Sequence, residues 1–382
     1  MSSKVAIRRC ASYEPALLRE ALELALSDLG GLETFVTPGQ SVLIKPNLLT
    51  DAEPAEAVTT HPELVRQLVV LLKELGARPS VGDCPANVTK LERVWEQTGF
   101  RAMCEQERVP LVNLEQEGSE RFEVGRVSFN VVRPVLDADV LVNVPKLKTH
   151  SLTMLTAAVK NLYGTVPGFQ KATLHETHAN PREFARLLAA LYRQVRPALN
   201  ILDAVVGMEG NGPSGGDPIR LGFLSASSDA VALDAVACRI MGMQIRHVFY
   251  LDELRQTGSG ATRPEQIETR GEQPDELAPA SFKLPNTAWL RFLPGGLVRM
   301  LRPLLWIYPE VTERCVRCGR CVRACPTGAL RMTEGARPCL DRRKCVQCFC
   351  CHEVCPERAI TTRGSPLVRW LVRHRKRRPS CE

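Results

Sequence analysis

The chain has 382 residues, enough for two or three domains, and is 44% hydrophobic and 24% charged, the balance of a soluble globular protein with a sizeable core. Its formal net charge of +8 is concentrated at one end: from Gly364 to Glu382 six basic residues face one acid, so the body is only mildly basic and a nucleic-acid role has no support. The amino terminus lacks the apolar run of a secretory signal, no charge-free stretch reaches membrane-span length, and eight of the fifteen cysteines fall into two regular runs, a pattern of metal binding in a reducing cytoplasm rather than of a disulfide scaffold.

Residues 1–255 alternate short β-rich runs with helical patterns, which predicts an α/β domain with a mostly parallel sheet and flanking helices. Ser41–Lys45 reads as a strand, after which Leu64, Leu68, Leu71, Leu72 and Leu75 form one helical face closed by Gly76. Val81 begins a short run ending at Gly82 and Asp83, and Val140–Val144 and Ile201–Val206 read as buried strands. A glycine-rich loop, Gly207–Gly216, follows, and Asp229 then caps a helix whose inner face is Leu233, Val236, Ala237 and Ile240. From Gln256 to Lys283 the periodicity dissolves into the composition of a linker or surface excursion. An apolar segment broken by arginines and prolines, Trp289–Tyr308, completes a connecting region over 256–310. A cysteine-rich domain occupies 311–363 and a basic tail 364–382.

The cysteine region contains one internal repeat. Cys315-x2-Cys318-x2-Cys321-x3-Cys325-Pro326 recurs thirty residues later as Cys345-x2-Cys348-x2-Cys351-x3-Cys355-Pro356. Three cysteines at x2 spacing in one tight loop reach three corners of a cubane, while the fourth, followed by proline, points away. Zinc knuckles take their ligands from Cys-x2-Cys pairs with a longer spacer and explain neither the triple runs nor the prolines. The region resembles a bacterial two-cluster ferredoxin over its whole length. That resemblance implies two [4Fe–4S] clusters with crossed ligands: Cys315, Cys318, Cys321 and Cys355 for one, Cys345, Cys348, Cys351 and Cys325 for the other. Cys350 is a spare thiol beside Cys351, and Cys339 has no ligand role in this scheme.

The larger part carries a second resemblance. Ile44-Lys45-Pro46-Asn47-Leu48, Asn143-Val144-Pro145-Lys146-Leu147-Lys148-Thr149-His150, Val159-Lys160-Asn161-Leu162-Tyr163-Gly164 and Asp203-Ala204 through Gly210-Asn211-Gly212-Pro213 look like the domain-of-unknown-function 362 family over about residues 40–245. Members of that family often carry a ferredoxin-like module after this domain. The resemblance implies an α/β fold and a shared site without implying a reaction.

Physically, these segments put cations and amides at strand carboxyl ends, where open α/β sheets bind ligands. Lys45, Lys146, Lys148 and Lys160, beside Asn47, Asn143 and Asn161, are expected to converge on an anionic group such as a carboxylate or phosphate. The alternative is that the lysines cap elements and face solvent. His150, with a pKa near neutrality, is the expected proton donor and Lys146 its catalytic companion; a histidine satisfied by backbone is the competing role. The loop Gly207–Gly216 could bring backbone N–H groups to an anion, although turn glycines explain it equally and it is neither a P-loop nor a dinucleotide fingerprint. His61, His175 and His178 with Asp83, Asp203 and Glu209 offer donors for a further metal at no diagnostic spacing.

The expected function is iron–sulfur electron transfer by an oxidoreductase. A ferredoxin-like donor or acceptor would be its redox partner, and electrons would pass to a small anionic substrate held by the larger domain. The alternatives are a non-enzymatic electron-transfer protein and an iron–sulfur assembly factor whose large domain binds a partner. Leu367–Val372 and Trp289–Tyr308 allow peripheral membrane contact, against which stands packing of the earlier segment on the domains with the basic tail solvated or docked on an acidic partner.

Overall fold

The computed structural model describes residues 2–85, 90–288, 306–333 and 335–368. A ten-stranded mixed sheet organises the first of two parts. From edge to edge its main path runs Ile267–Gly271, Ser3–Arg9, Asp217–Ser227, Leu199–Glu209, Val140–Val144, Ser41–Pro46, Arg78–Gly82 and Leu111–Val112. Val140–Val144 lies parallel to both neighbours, with Val42 opposite Val140 and Asn143 opposite Asn200. Such a strand is buried on both faces, which is why Val-Leu-Val-Asn-Val is apolar without alternation. Leu43 and Leu141 point into one core, Val42, Ile44 and Val142 into the other, and helices cover both.

The expected α/β architecture is therefore present, with antiparallel pairs added at one side. Helix Pro62–Glu74 begins at His61, whose ring accepts the Glu63 N–H, and buries Leu64, Val65, Leu68, Val69 and Leu72. Helix Ala230–Ile240 is capped by Asp229 as its sequence indicates. The strand expected at 201–206 extends from Leu199 to Glu209, and its glycine-rich continuation is the turn of a long antiparallel hairpin with Asp217–Ser227. The segment expected as a linker supplies the sheet's edge: Ile267–Gly271 pairs in parallel with Ser3–Ile7. A five-residue strand without apolar alternation suffices there because an edge strand gains its stability from one ladder and one neighbour.

The second part is the cysteine module, and its first strand starts earlier than expected. Ile307–Val311 pairs with Ile360–Gly364, and Leu330–Arg331 with Cys339–Leu340. Short helices Arg320–Arg323 and Cys350–Glu353 stand thirty residues apart, like the cysteine runs. The backbone repeats too: left-handed conformations occur at Arg317 and Gln347, Gly319 and Phe349, Gly328 and Arg358. Non-glycine residues in this region are uncommon and mark a tightly constrained loop. Most of Trp289–Tyr308 and of the basic tail lies outside the described residues. Among the described residues no helix is long and apolar enough to cross a membrane.

Candidate functional site between the sheet and the cysteine module

The module is fastened to the carboxyl ends of the central strands. Arg320 grips Asp51 through both nitrogens, at 2.6 and 2.8 Å, and Arg93 takes the same carboxylate at 2.7 Å. Arg358 reaches Glu56 at 3.1 Å and the Gly216 carbonyl at 3.2 Å, while Ser214 donates to the His352 carbonyl at 3.0 Å. The glycine-rich turn thus serves as a seat for the module. A Cβ at Gly212 would strike the Thr149 carbonyl, and one at Gly215 would strike the His352 ring.

A cavity of about 200 Å³ lies at this junction. The sheet side contributes Lys148, Lys160, Lys171, His150, His175 and Tyr163; the module contributes Arg323, Cys350, Glu353 and Val354. The three family asparagines build a buried amide chain beneath it. Asn47 donates to Asn161 Oδ1 at 2.8 Å, Asn161 to Asn143 Oδ1 at 2.8 Å, and Asn143 to Asn200 Oδ1 at 2.9 Å. Asn47 also accepts from Lys148 Nζ at 2.9 Å, and the Val58 carbonyl takes that ammonium at 2.6 Å. Lys160 and Asn161 ride on the short helix Ala158–Asn161, whose first amides are held by Asp234 at 2.6 and 3.1 Å. Burial pushes the Asp234 carboxyl up to about 7, and Tyr250 donates to it.

The expected cluster of four lysines divides. Lys148 and Lys160 face the cavity, with Asn47 and Asn161. Lys45 does not line it: it is sealed against Asp83 at 2.8 Å, and Gly164 must lack a Cβ to pass that ion pair. Lys146, expected to be catalytic, is wholly buried in another pair, with Asp203 at 2.9 Å and the Tyr13 hydroxyl at 2.7 Å, and is also absent from the lining. Asn143 acts from below, through Asn161. Burial drives all four ammoniums below their ordinary pKa; a paired carboxylate opposes this at Lys45 (Asp83) and Lys146 (Asp203), and the unpaired Glu353 opposes it at Lys148 and Lys160.

His150 differs from expectation in its charge. Its Nδ1 accepts the Leu152 and Thr153 amides at 3.0 and 3.3 Å, so the ring proton sits on Nε2. Burial, reinforced by Lys160, lowers its pKa to about 4, so it is a neutral donor at physiological pH rather than a titrating acid. Nε2 lies 3.2 Å from Glu353 Oε1 without hydrogen-bond alignment, and neither atom has another partner. Burial opposes ionisation of Glu353, yet His150 and the surrounding cations keep it below the ordinary carboxylate range. His175 is also buried, lowered to about 4 chiefly by burial, and its Nδ1 is without a partner.

Sequence reasoning missed Lys171, Arg323 and Glu353, which no local signal marks, and gave no role to Tyr163, although it lies in the family segment Val159–Gly164. It grouped His61, His175 and His178 with Asp83, Asp203 and Glu209 as metal donors; the fold puts His175 and Asp83 at the cavity and the His61 amide on Asp203, and sets the others apart. His61 stacks on Tyr13 at 3.7 Å, Glu209 pairs with Lys283, and His178 is near the surface. Among the described residues no three His, Cys, Asp or Glu gather around a point where a single ion could sit.

The cysteine loops fit cubane ligation. A small cavity of about 20 Å³ is lined by Cys315, Cys318, Cys321 and Cys355, which mixes the two runs as the crossed scheme requires. In the other half, Cys348, Cys345, Cys321 and Cys325 all lie near Cys351. Backbone amides are aimed at sulfur: Arg317 N at Cys315, Ala329 N at Cys325 and Ala359 N at Cys355, at 3.2–3.4 Å. Such donors stabilise ligating thiolates. Fourteen described cysteines are free of disulfides.

Comparison with known proteins agrees with this division. Residues 42–239 match the family described as Domain of unknown function (DUF362), and residues 308–331 match the 4Fe-4S binding domain. The Thylakoid-associated protein sll1697 of Synechocystis sp. is 36% identical over 306 residues, 79% of this chain and 93% of that protein. The lactate racemase apoprotein of Thermoanaerobacterium thermosaccharolyticum aligns with a TM-score of 0.42 and 14% identity, covering 62% of this chain and 57% of that one, too remote to carry an argument. The chain belongs to the DUF362 family and carries a 4Fe-4S binding domain behind the family domain.

Proposed function

We propose that this protein is an iron–sulfur oxidoreductase that passes electrons to a small anionic substrate bound between its two parts. The observation that carries this reading is the cavity itself: lysines of the family domain form one wall, and the segments flanking Cys325 and Cys351 form the other. Two [4Fe–4S] clusters are proposed, held by Cys315, Cys318, Cys321 and Cys355 and by Cys345, Cys348, Cys351 and Cys325. Bound clusters of this kind supply electrons one at a time.

The chain's own residues prepare the substrate. Lys160 has no hydrogen bond or ion pair among the described residues and offers its charge to an acid group, with Lys148 and Lys171 near it. An ammonium in a buried site interacts with an anion far more strongly than one in water. The neutral His150 ring keeps its Nε2 proton and can hydrogen-bond a substrate oxygen through it, while the protons that a reduced substrate takes up come from solvent. A ferredoxin-like protein is the proposed electron source, and the proposed location is cytoplasmic or on the face of a membrane. The thylakoid association named for the relative supports the latter choice.

Anaerobic reconstitution should give about eight iron atoms per chain. The reduced protein should then be reoxidised by members of a panel of small carboxylates and phosphates, read from its EPR signal. Lys160→Met should abolish reoxidation at unchanged iron content. Reoxidation indifferent to this substitution would overturn the assignment of the cavity. No reoxidation by any anion, with a stoichiometric redox protein recovered by pull-down, would favour a non-enzymatic electron carrier.

A further inference from the structure

The cavity holds more positive charge than one acid group can match. Three lysines, Lys148, Lys160 and Lys171, are the buried or half-buried cations of its lining, and the fourth cationic side chain, Arg323, is exposed to solvent. Of the two carboxylates in its wall, Asp83 is already neutralised by Lys45, which leaves Glu353. Uncompensated charge in a buried site is costly, so the surplus is a requirement placed on the ligand.

The lysines are also arranged unequally. Lys148 is satisfied by the Asn47 side chain and the Val58 carbonyl. Lys160 and Lys171 stand on one aromatic ring, with their ammoniums 5.1 and 6.0 Å from the Tyr163 centroid. Lys160 has no anionic or hydrogen-bonding partner of its own among the described residues; Lys171 reaches only the Cys84 carbonyl. Among the buried polar atoms of the wall, His175 Nδ1 has no hydrogen-bond partner, and His150 Nε2 and Glu353 Oε1 face each other at 3.2 Å without hydrogen-bond alignment. Native proteins rarely leave such atoms unmatched, so their concentration here points to a ligand. The volume of about 200 Å³ holds roughly six or seven water volumes, a metabolite-sized space.

We infer that the cavity is built for a small dianion, a dicarboxylate or an organic phosphate, whose charge is shared between Lys160 and Lys171 across the Tyr163 ring, with an oxygen against the His150 Nε2 proton. This rests on the anionic-substrate reading above and narrows it. Counting the three lysines against Glu353, a monoanion leaves one surplus charge in the site and a dianion leaves none.

The test is isothermal titration of the reconstituted, oxidised full-length protein at low salt with acetate, succinate and glycerol phosphate as probes. Succinate or glycerol phosphate should bind at least about tenfold more tightly than acetate. Lys160→Met and Lys171→Met should each bring dianion affinity down to the acetate level, and Lys171→Arg should restore it, with iron per chain and visible absorbance unchanged. The preferred dianion identifies the acid class. Equal affinity for acetate and both dianions, or indifference to Lys171→Met, overturns the dianion assignment while leaving an anion site in place. Failure of all three probes to bind overturns the anionic reading and this inference with it.

Discussion

Lys146 and Lys148 stand two residues apart on one strand, and their surroundings make them different chemical objects. Lys146 is enclosed with Asp203 and Tyr13, and His61 lies stacked on the same tyrosine. Lys148 is held by an amide and a carbonyl and opens onto a cavity shared with Lys160, Lys171 and His175. Both ammoniums are fully buried. The difference teaches that a buried lysine with its own carboxylate is part of the scaffold, whereas one left with neutral partners awaits a charge from outside.

The largest test of that contrast is the pair Lys146→Ala and Lys160→Met. Lys146→Ala strands the Asp203 carboxylate in the core and should lower stability by about 3–5 kcal/mol, measured by urea unfolding. Lys160→Met removes a cation that has no carboxylate partner of its own, so it should leave the unfolding midpoint unchanged or raised. Loss of anion binding in Lys146→Ala at full stability would break the comparison.

A smaller effect follows from one histidine on each side. Burial holds His61 and His175 at about 4 against an ordinary value near 6.5, so between these values the unfolded chain binds more protons than the folded one. Their contribution is therefore complete above pH 6.5 and is lost as pH falls toward 4, up to about 3 kcal/mol for each. Urea midpoints measured down to pH 4.5 should fall accordingly. An anion in the cavity should raise the pKa of His175 and leave that of His61 in place, which NMR titration with and without succinate would read. Equal shifts at both rings would erase the distinction between the sites.

The smallest effect concerns the fastening of the module. Arg320→Ala removes a two-nitrogen grip on Asp51, which keeps Arg93, so the cost should be about 1–2 kcal/mol. It should appear as faster hydrogen exchange in helix Arg320–Arg323 and in the cavity wall around Glu353, with the distant Lys146 enclosure unaffected. Exchange that does not change would show that Arg358 and Ser214 hold the module without it.

The parallel strands were legible because burial on both faces leaves a local mark: continuous apolar runs such as Val140–Val144. The edge strand Ile267–Gly271 left no such mark, having one neighbour and a polar sequence. The glycine-rich turn left both its readings open for a related reason. Its glycines are required by close approach of the module and of Thr149, and a sequence shows the need for a small residue without showing what comes near.

By itself the sequence determined the two cysteine runs and their thirty-residue repeat, because cluster ligands in one loop must keep a short fixed spacing that survives in the primary structure. It also determined that lysines and asparagines would gather at strand ends. Only the tertiary structure decided which of those lysines meets a carboxylate. Strand pairing brings Asp83 to Lys45 and Asp203 to Lys146, whereas the module's Glu353 faces the cavity without pairing any of the four lysines. The charge state of a buried group depends on everything within a few ångströms, and that neighbourhood is assembled from residues far apart along the chain.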